Sequence, residues 1–274
     1  MMSVRAQGDA AVQYDMDQKI AEFRVNGYTV FEDLIPVEKI DRMREAFMAL
    51  LDQVRERETE IRDVEEGDLR TGKGRLQRVH RYCMDWPLDP PLGDPEVYEH
   101  PVIVEFFERY FVDKDIFISC LHSNNPYPGS VYQNWHRDTK LLTPNIGNPS
   151  HPTSAVKVPL VDTCEENGSF EVIPGTQYLA IPEYEGKYND MLTQPGFHLN
   201  PRRVNMKRGT VWMQDPRTIH RGTPNTSDHA RPELCICFSK PWYQLRRPLI
   251  IHREHFEAMS ERGRHLFRNA QLID

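Results

Sequence analysis

Six short runs decide the fold: IFISCLH (116–122), VYQNWH (131–136), AVKVPLV (155–161), SFEVIPG (169–175), GTVWMQ (209–214) and PELCICFSK (232–240). Each is rich in β-branched or aromatic residues, and clusters of Pro, Gly and Asn separate them, as strands joined by turns require. With no helices between them, the runs predict an all-β sandwich or barrel, of which the jelly roll is one form.

Outward from this core the texture changes. Residues 15–25 read as a helix ending at Gly27, and GYTVFED (27–33) reads as a strand. After Pro36, the residues Ile40, Met43, Phe47, Leu50 and Val54 recur at steps of three and four, so 36–54 is expected as a helix covering a sheet. Residues 57–81 are charged and glycine-bearing and read mostly as loop, and 252–267 read as a closing helix. The expected organisation is one domain over 1–274: a helical region to about 115, a jelly-roll core over about 116–240 and an extension from 241. No internal repeat is visible.

The chain has 274 residues, 39% hydrophobic and 27% charged, with 15 glycines and 21 prolines, so it can build a core and is not of low complexity. Its net charge of −7, with both signs interspersed, gives no general attraction for nucleic acid or anionic lipid. A small-molecule substrate is the expected partner, for a monomer or homodimer. No apolar run approaches the ~18 residues of a membrane span, and the opening MMSVRAQGDAAVQYD lacks a signal-peptide core, so a cytoplasmic location is expected. Five scattered cysteines do not describe a disulfide framework; Cys235 and Cys237, neighbours on one strand face, read as small hydrophobes rather than half a zinc site.

The chemistry concentrates in QNWHRDTK (133–140). In a strand, His136 and Asp138 project from the same face and can reach one metal ion. A histidine from a distant strand would complete a 2-His-1-carboxylate facial triad, which leaves positions of an octahedral iron open, and His220 is the best candidate. Eleven residues on, in HRGTPNTSDHAR (220–231), lies Arg231; the Gly-Thr-Pro-Asn-Thr-Ser cluster reads as a hairpin turn that would return it beside His220. A planar guanidinium suits bidentate capture of a carboxylate, which fits the distal end of 2-oxoglutarate.

These residues resemble the phytanoyl-CoA dioxygenase family of iron(II)/2-oxoglutarate oxygenases. The resemblance rests on Gln133, Trp135, His136 and Asp138 as Q-x-W-H-x-D, on the run Asn167–Thr176, on the run His220–Arg231, and on NGYTVFEDLIP followed by a helix. It implies a double-stranded β-helix, cupin-like and flanked by helices, with His136, Asp138 and His220 as metal ligands and catalytic centre. Arg231 would grip 2-oxoglutarate and Gln133 would touch it. The implied cofactors are Fe(2+), 2-oxoglutarate and O2, with ascorbate as an auxiliary reductant. The implied reaction hydroxylates a C–H bond of a metabolite and forms succinate and carbon dioxide. Related halogenases carry a small residue in place of the carboxylate, so Asp138 argues against halogenation. Two departures stand out: Pro174-Gly175-Thr176-Gln177 replaces the usual P-G-S-H, and Phe170 stands where several relatives carry a small hydroxyl residue.

Other readings stay open. Desaturation, epoxidation and cyclisation use the same ligands; a catalytically silent jelly-roll metal-binding protein would satisfy them with zinc; and a cupin dioxygenase or isomerase would need no arginine. For the substrate, the basic stretch RTGKGRLQRVHR (70–81) is either an anion-receiving lip or a solvated loop. The loop LLTPNIGNPSHPTS (141–154) would cover the mouth, with His151 near substrate or solvent, and Trp86, Trp212 and Trp242 are expected in the core or pocket wall.

Overall fold

The computed structural model describes residues 13–62, 79–139, 151–243 and 248–274. Asp15 caps helix α1 (Met16–Asn26) by accepting from the Gln18 backbone N–H, and the helix stops at Gly27, whose φ of +78° suits a residue without Cβ. Strand β1 (Tyr28–Phe31) follows. Helix α2 (Val37–Arg62) starts as the periodicity predicts and buries Ile40, Met43, Phe47 and Leu51, but runs on past residue 54 into the stretch expected as loop.

After β2 (Arg81–Tyr82) come α3 (Pro95–Tyr98) and α4 (Pro101–Phe111), each opened by a proline in its first turn. The core strands are β3 (Phe117–Ser123), β4 (Asn125–Pro126), β5 (Thr153–Pro159) and β6 (Phe170–Val172). A short helix α5 (Tyr188–Thr193) then intervenes before β7 (Arg202–Val204), β8 (Val211–Gln214), β9 (His220–Arg221) and β10 (Glu233–Ser239). The expected closing helix is instead two short ones, α6 (Arg253–Ala258) and α7 (Glu261–Leu266), held between β11 (Ile250–His252) and β12 (Gln271–Ile273); Ser260 caps the second and so breaks the run.

The architecture is mostly antiparallel sheet with flanking helices. A large sheet has the order β1-β8-β5-β10-β3 and a small one β7-β6-β9. Because side chains alternate along a strand, the large sheet has two different faces. One presents Phe31, Met213, Val156, Ile236 and Phe238 to Phe23, Phe47, Phe106 and Phe107 of the helices, forming the main core. The other faces inward. Its register sets Val30, Trp212, Lys157, Cys235 and His122 opposite one another in a single row, and Trp212 packs on Phe170, Val172, Val204 and Met206 between the sheets. No helix among the described residues is long and apolar enough to cross a membrane.

Candidate metal centre

The run VYQNWH is not a regular strand. Segment 130–138 instead lies along β9 and the linker that follows it, with isolated bridges His136–His220 and Ser130–Asn225. At the second bridge the two residues exchange both backbone hydrogen bonds, each 3.0 Å, so residues far apart in sequence are tied at the backbone. Gln133 N–H donates to the Gly222 carbonyl and Asp138 N–H to that of Pro216, both at 2.9 Å, which continues the alignment on either side.

This alignment gathers His136, Asp138 and His220. One donor atom from each lies within 4.8 Å of the others; among the described residues no other set of three His, Cys, Asp or Glu side chains is so close. Asp138 Oδ1 is 3.7 Å from His136 Nε2 and 3.5 Å from His220 Nε2. Donors about 2.1 Å from one ion at right angles sit roughly 3 Å apart, so small side-chain turns would close this set on a metal.

Both imidazoles are oriented for that task. Nδ1 of His136 is 2.7 Å from the Asn134 carbonyl and Nδ1 of His220 is 2.9 Å from that of Thr218. A carbonyl only accepts, so each Nδ1 carries a proton and each Nε2 is the ring nitrogen placed beside Asp138 for a metal ion. Burial and the neighbouring His220 push His136 down to about 4, which keeps it neutral. Burial alone would raise the Asp138 carboxyl, but His220, Lys157 and His136 overcome it and hold the group well below the usual carboxylate range. His136 and Asp138 are thus in the protonation states that ligation requires at neutral pH. It also opens to one side: the His220 side chain is 2% exposed, whereas those of His136 and Asp138 are 31% and 42% exposed.

Arg231 lies in the interior, fully buried. Its Nη1 is 3.3 Å from Glu233 Oε2, whereas Nε and Nη2, which form the side-on edge of the guanidinium, are buried without a hydrogen-bond partner among the described residues. Such orphaned charged donors are costly unless a ligand takes them, and their spacing matches a carboxylate. Phe170 links this edge to the donors: its ring centroid is 4.9 Å from Arg231 Cζ and 6.1 Å from the His220 ring. The route by which Arg231 arrives differs from the expected hairpin. β9 belongs to the small sheet and β10 to the large one, so residues 222–232 cross between sheets.

Gln133 lies beside the same bridge, with its Oε1 accepting from Gly222 N–H at 2.9 Å. A Cβ on Gly222 would come within 2.5 Å of that oxygen and 2.6 Å of Arg81 Nη1, which explains a residue without a side chain there. Arg81, the last residue of the basic stretch, does not belong to an exposed lip. It is buried, donating through Nη2 to the carbonyls of Val131 and Thr223 and through Nη1 to Asn124, and so braces both ligand-bearing segments. Arg70, Lys73, Arg75 and Arg78 lie outside the described residues, as does 141–150 of the expected mouth loop. His151 is not at solvent: it is 2% exposed and packed at the start of β5. Trp86 and Trp212 are buried as expected, but Trp242 is 62% exposed.

Lys157 escaped the sequence reading. It projects inward from the middle of β5 and is 6% exposed, with Nζ 4.1 Å from the Phe170 centroid and 5.0 Å from that of Trp212. The one cation inside the apolar run AVKVPLV was its available signal.

Comparison with known proteins gives a consistent picture. The profile of the family described as Phytanoyl-CoA dioxygenase (PhyH) matches residues 23–232. Among solved structures, AviO1 from Streptomyces viridochromogenes Tue57 is similar with a TM-score of 0.58 at 17% identity, covering 86% of this chain and 99% of that one. The non-heme alpha ketoglutarate dependent carbocyclase SnoK from nogalamycin biosynthesis is similar at 0.57 and 17% identity, covering 81% and 83%. The epimerase SnoN in complex with Fe3+, alpha ketoglutarate and nogalamycin RO gives 0.55 at 16% identity, covering 82% and 83%. At these identities the likeness is one of fold.

Proposed function

Because the chain belongs to the phytanoyl-CoA dioxygenase family, we propose that it is an iron(II)- and 2-oxoglutarate-dependent oxygenase that hydroxylates a C–H bond of a small-molecule metabolite. In this reading the two sheets are the halves of a double-stranded β-helix within one domain. His136, Asp138 and His220 would hold the iron, and Arg231 would hold the distal carboxylate of 2-oxoglutarate. The observation that carries it is the buried, unpartnered Nε–Nη2 edge of Arg231, separated from the His220 ring by Phe170. A structural metal site would close with four ligands and has no need of a carboxylate clamp beside it, which weighs against a silent binding protein.

Bound together, iron and 2-oxoglutarate would supply oxidative decarboxylation to succinate and carbon dioxide, coupled to oxidation of the substrate by O2. The chain's own residues supply position. The Asn134 and Thr218 carbonyls fix both imidazoles, and the His136–His220 backbone bridge fixes their spacing. Trp212, Phe170 and Val172 exclude water on the sheet side, and the exposed flank of Asp138 and His136 leaves the substrate's approach open. With Oε1 of Gln133 committed to Gly222, its amide nitrogen would serve the co-substrate.

SnoK and SnoN are described as a carbocyclase and an epimerase, so the fold also carries outcomes other than hydroxylation. Small molecules of secondary metabolism form the substrate class to screen first. The test is succinate formation from 2-oxoglutarate by the iron(II)-loaded protein, stimulated by a candidate compound, with mass analysis of the product. A gain of one oxygen supports hydroxylation where the substrate has no C=C bond to epoxidise. Product without added oxygen moves the assignment to cyclisation, desaturation or epimerisation, and failure to bind 2-oxoglutarate ends the oxygenase reading.

A further inference from the structure

The interior holds a cation that the metal set and Arg231 do not account for. Lys157 is 6% exposed, and no described hydrogen bond or ion pair involves its ammonium; two aromatic faces lie against it, Phe170 at 4.1 Å and Trp212 at 5.0 Å, and its charge also acts at longer range on the Asp138 carboxyl. A lysine this deeply placed rarely rests on π faces alone, because they return only part of the hydration its ammonium loses. The position is dictated by register. Lys157 stands opposite Cys235 on one side and Trp212 on the other, on the inward face of the large sheet, whereas Val156 and Val158 on either side of it face the helices.

Phe170 shows where this charge is directed. Arg231 Cζ lies 4.9 Å from the centroid of the same ring that carries Lys157, so the two cations address one small region between the sheets. Within it, Arg231 is already largely neutralised by Glu233 at 3.3 Å, with both groups buried. Arg81 is close by, but its Nη1 and Nη2 groups are turned to Asn124, Val131 and Thr223. A carboxylate brought to the Nε–Nη2 edge therefore meets two good donors but little uncancelled positive charge from the Arg231–Glu233 pair. Burying a carboxylate in such a place is favourable only when a further cation is at hand.

We propose that Lys157 is a second cationic contact for 2-oxoglutarate, sharing its outer carboxylate with Arg231. This rests on the oxygenase reading and deepens it. Arg231 supplies direction through its planar fork, and Lys157 supplies the net charge that lets a dianion settle between two apolar sheets.

The test is equilibrium binding to the Mn(II)-loaded protein by calorimetry, with 2-oxoglutarate and with 2-oxovalerate, which has the same oxo-acid head but ends in a methyl group. With Mn(II) saturating, loss of one charge-assisted contact in Lys157→Gln should weaken 2-oxoglutarate binding roughly tenfold to a hundredfold and leave 2-oxovalerate binding unchanged. Should that variant be unstable, Lys157→Met, which keeps an unbranched chain between the two rings, carries the same comparison. Unchanged 2-oxoglutarate affinity in the variants, with or without a lower Tm, overturns the proposal and leaves Lys157 a packing residue. Equal weakening of both oxo acids also overturns it, since the contact would then be to the metal-proximal end. If the wild-type protein binds no 2-oxoglutarate, the oxygenase reading falls first and this inference with it.

Discussion

Replacing Arg231 by lysine separates the donor geometry from the charge. Of the five guanidinium N–H donors, the structure commits Nη1 to Glu233 at 3.3 Å and leaves the Nε–Nη2 edge buried and unpartnered. A lysine ammonium can keep the ion pair with Glu233, but it presents at most one bond where that edge presents two. One charge-assisted hydrogen bond is worth about 1.5–3 kcal/mol, so Arg231→Lys should raise the Kd for 2-oxoglutarate by roughly ten- to a hundredfold. Folding should be little affected, whereas Arg231→Gln would strand the buried Glu233 carboxylate at a cost of about 3–5 kcal/mol and confuse binding with stability. The assay is anaerobic titration of the iron(II) protein with 2-oxoglutarate, followed by the visible charge-transfer band of the chelate, with metal affinity measured separately. An unchanged 2-oxoglutarate midpoint in Arg231→Lys, alongside unchanged iron binding, would remove Arg231 from the co-substrate site.

Three further outcomes are expected. His136→Ala and His220→Ala should each abolish the rise in Tm that Mn(II) or Fe(II) gives the wild type, while Arg231→Lys retains it; a full metal-induced shift in His220→Ala would refute the ligand assignment. Gly222→Ala forces a Cβ to within 2.5 Å of Gln133 Oε1 and should cost about 1–3 kcal/mol in denaturant unfolding, so a neutral result would mean that the contact relaxes freely. In the metal-free protein, burial lowers His151 from 6.5 to about 4; between those values the unfolded chain binds the extra proton, so stability is full above about 6.5 and falls as pH drops toward 4. The His151 share of that loss is on the order of 3 kcal/mol, and His151→Asn should flatten the acid limb of the stability profile; an unaltered limb would assign the loss to other groups.

The strand runs could be read because β-branched and aromatic clusters bounded by Pro and Gly leave few alternatives, and α2 because its apolar period is strong. The grouping of His136 with Asp138 was read from i, i+2 spacing on an expected strand, whereas bonds to His220 and Pro216 hold the two residues in place. Helix α4 was legible only as part of the helical region to about residue 115, although Phe106, Phe107, Tyr110 and Phe111 recur at helical steps. Lys157 was unreadable for a deeper reason. Whether a residue in AVKVPLV faces the helices or the interior depends on register, and a slip of one residue exchanges the two faces. Arg81 shows the converse: a dense run of positive charge reads as surface, and nothing local reveals that one arginine turns inward to brace Val131 and Thr223. The supposed hairpin before Arg231 failed because a turn-rich linker looks the same whether it joins partners in one sheet or crosses to another.

The reciprocal backbone bonds between His136 and His220 bear on kinetics as well as geometry. Closing so long a stretch of chain into one chelate is an entropic cost met during folding, before any ion arrives. Association of a divalent ion should therefore be limited by its own water exchange and proceed in a single phase, with no slow loop closure behind it. Release is coupled to the same ladder: an ion held by both histidines restrains the opening of the bridge. The amide hydrogens of His136 and His220 should accordingly exchange with solvent more slowly as the metal is added, making two backbone protons a reporter of occupancy that needs neither substrate nor turnover.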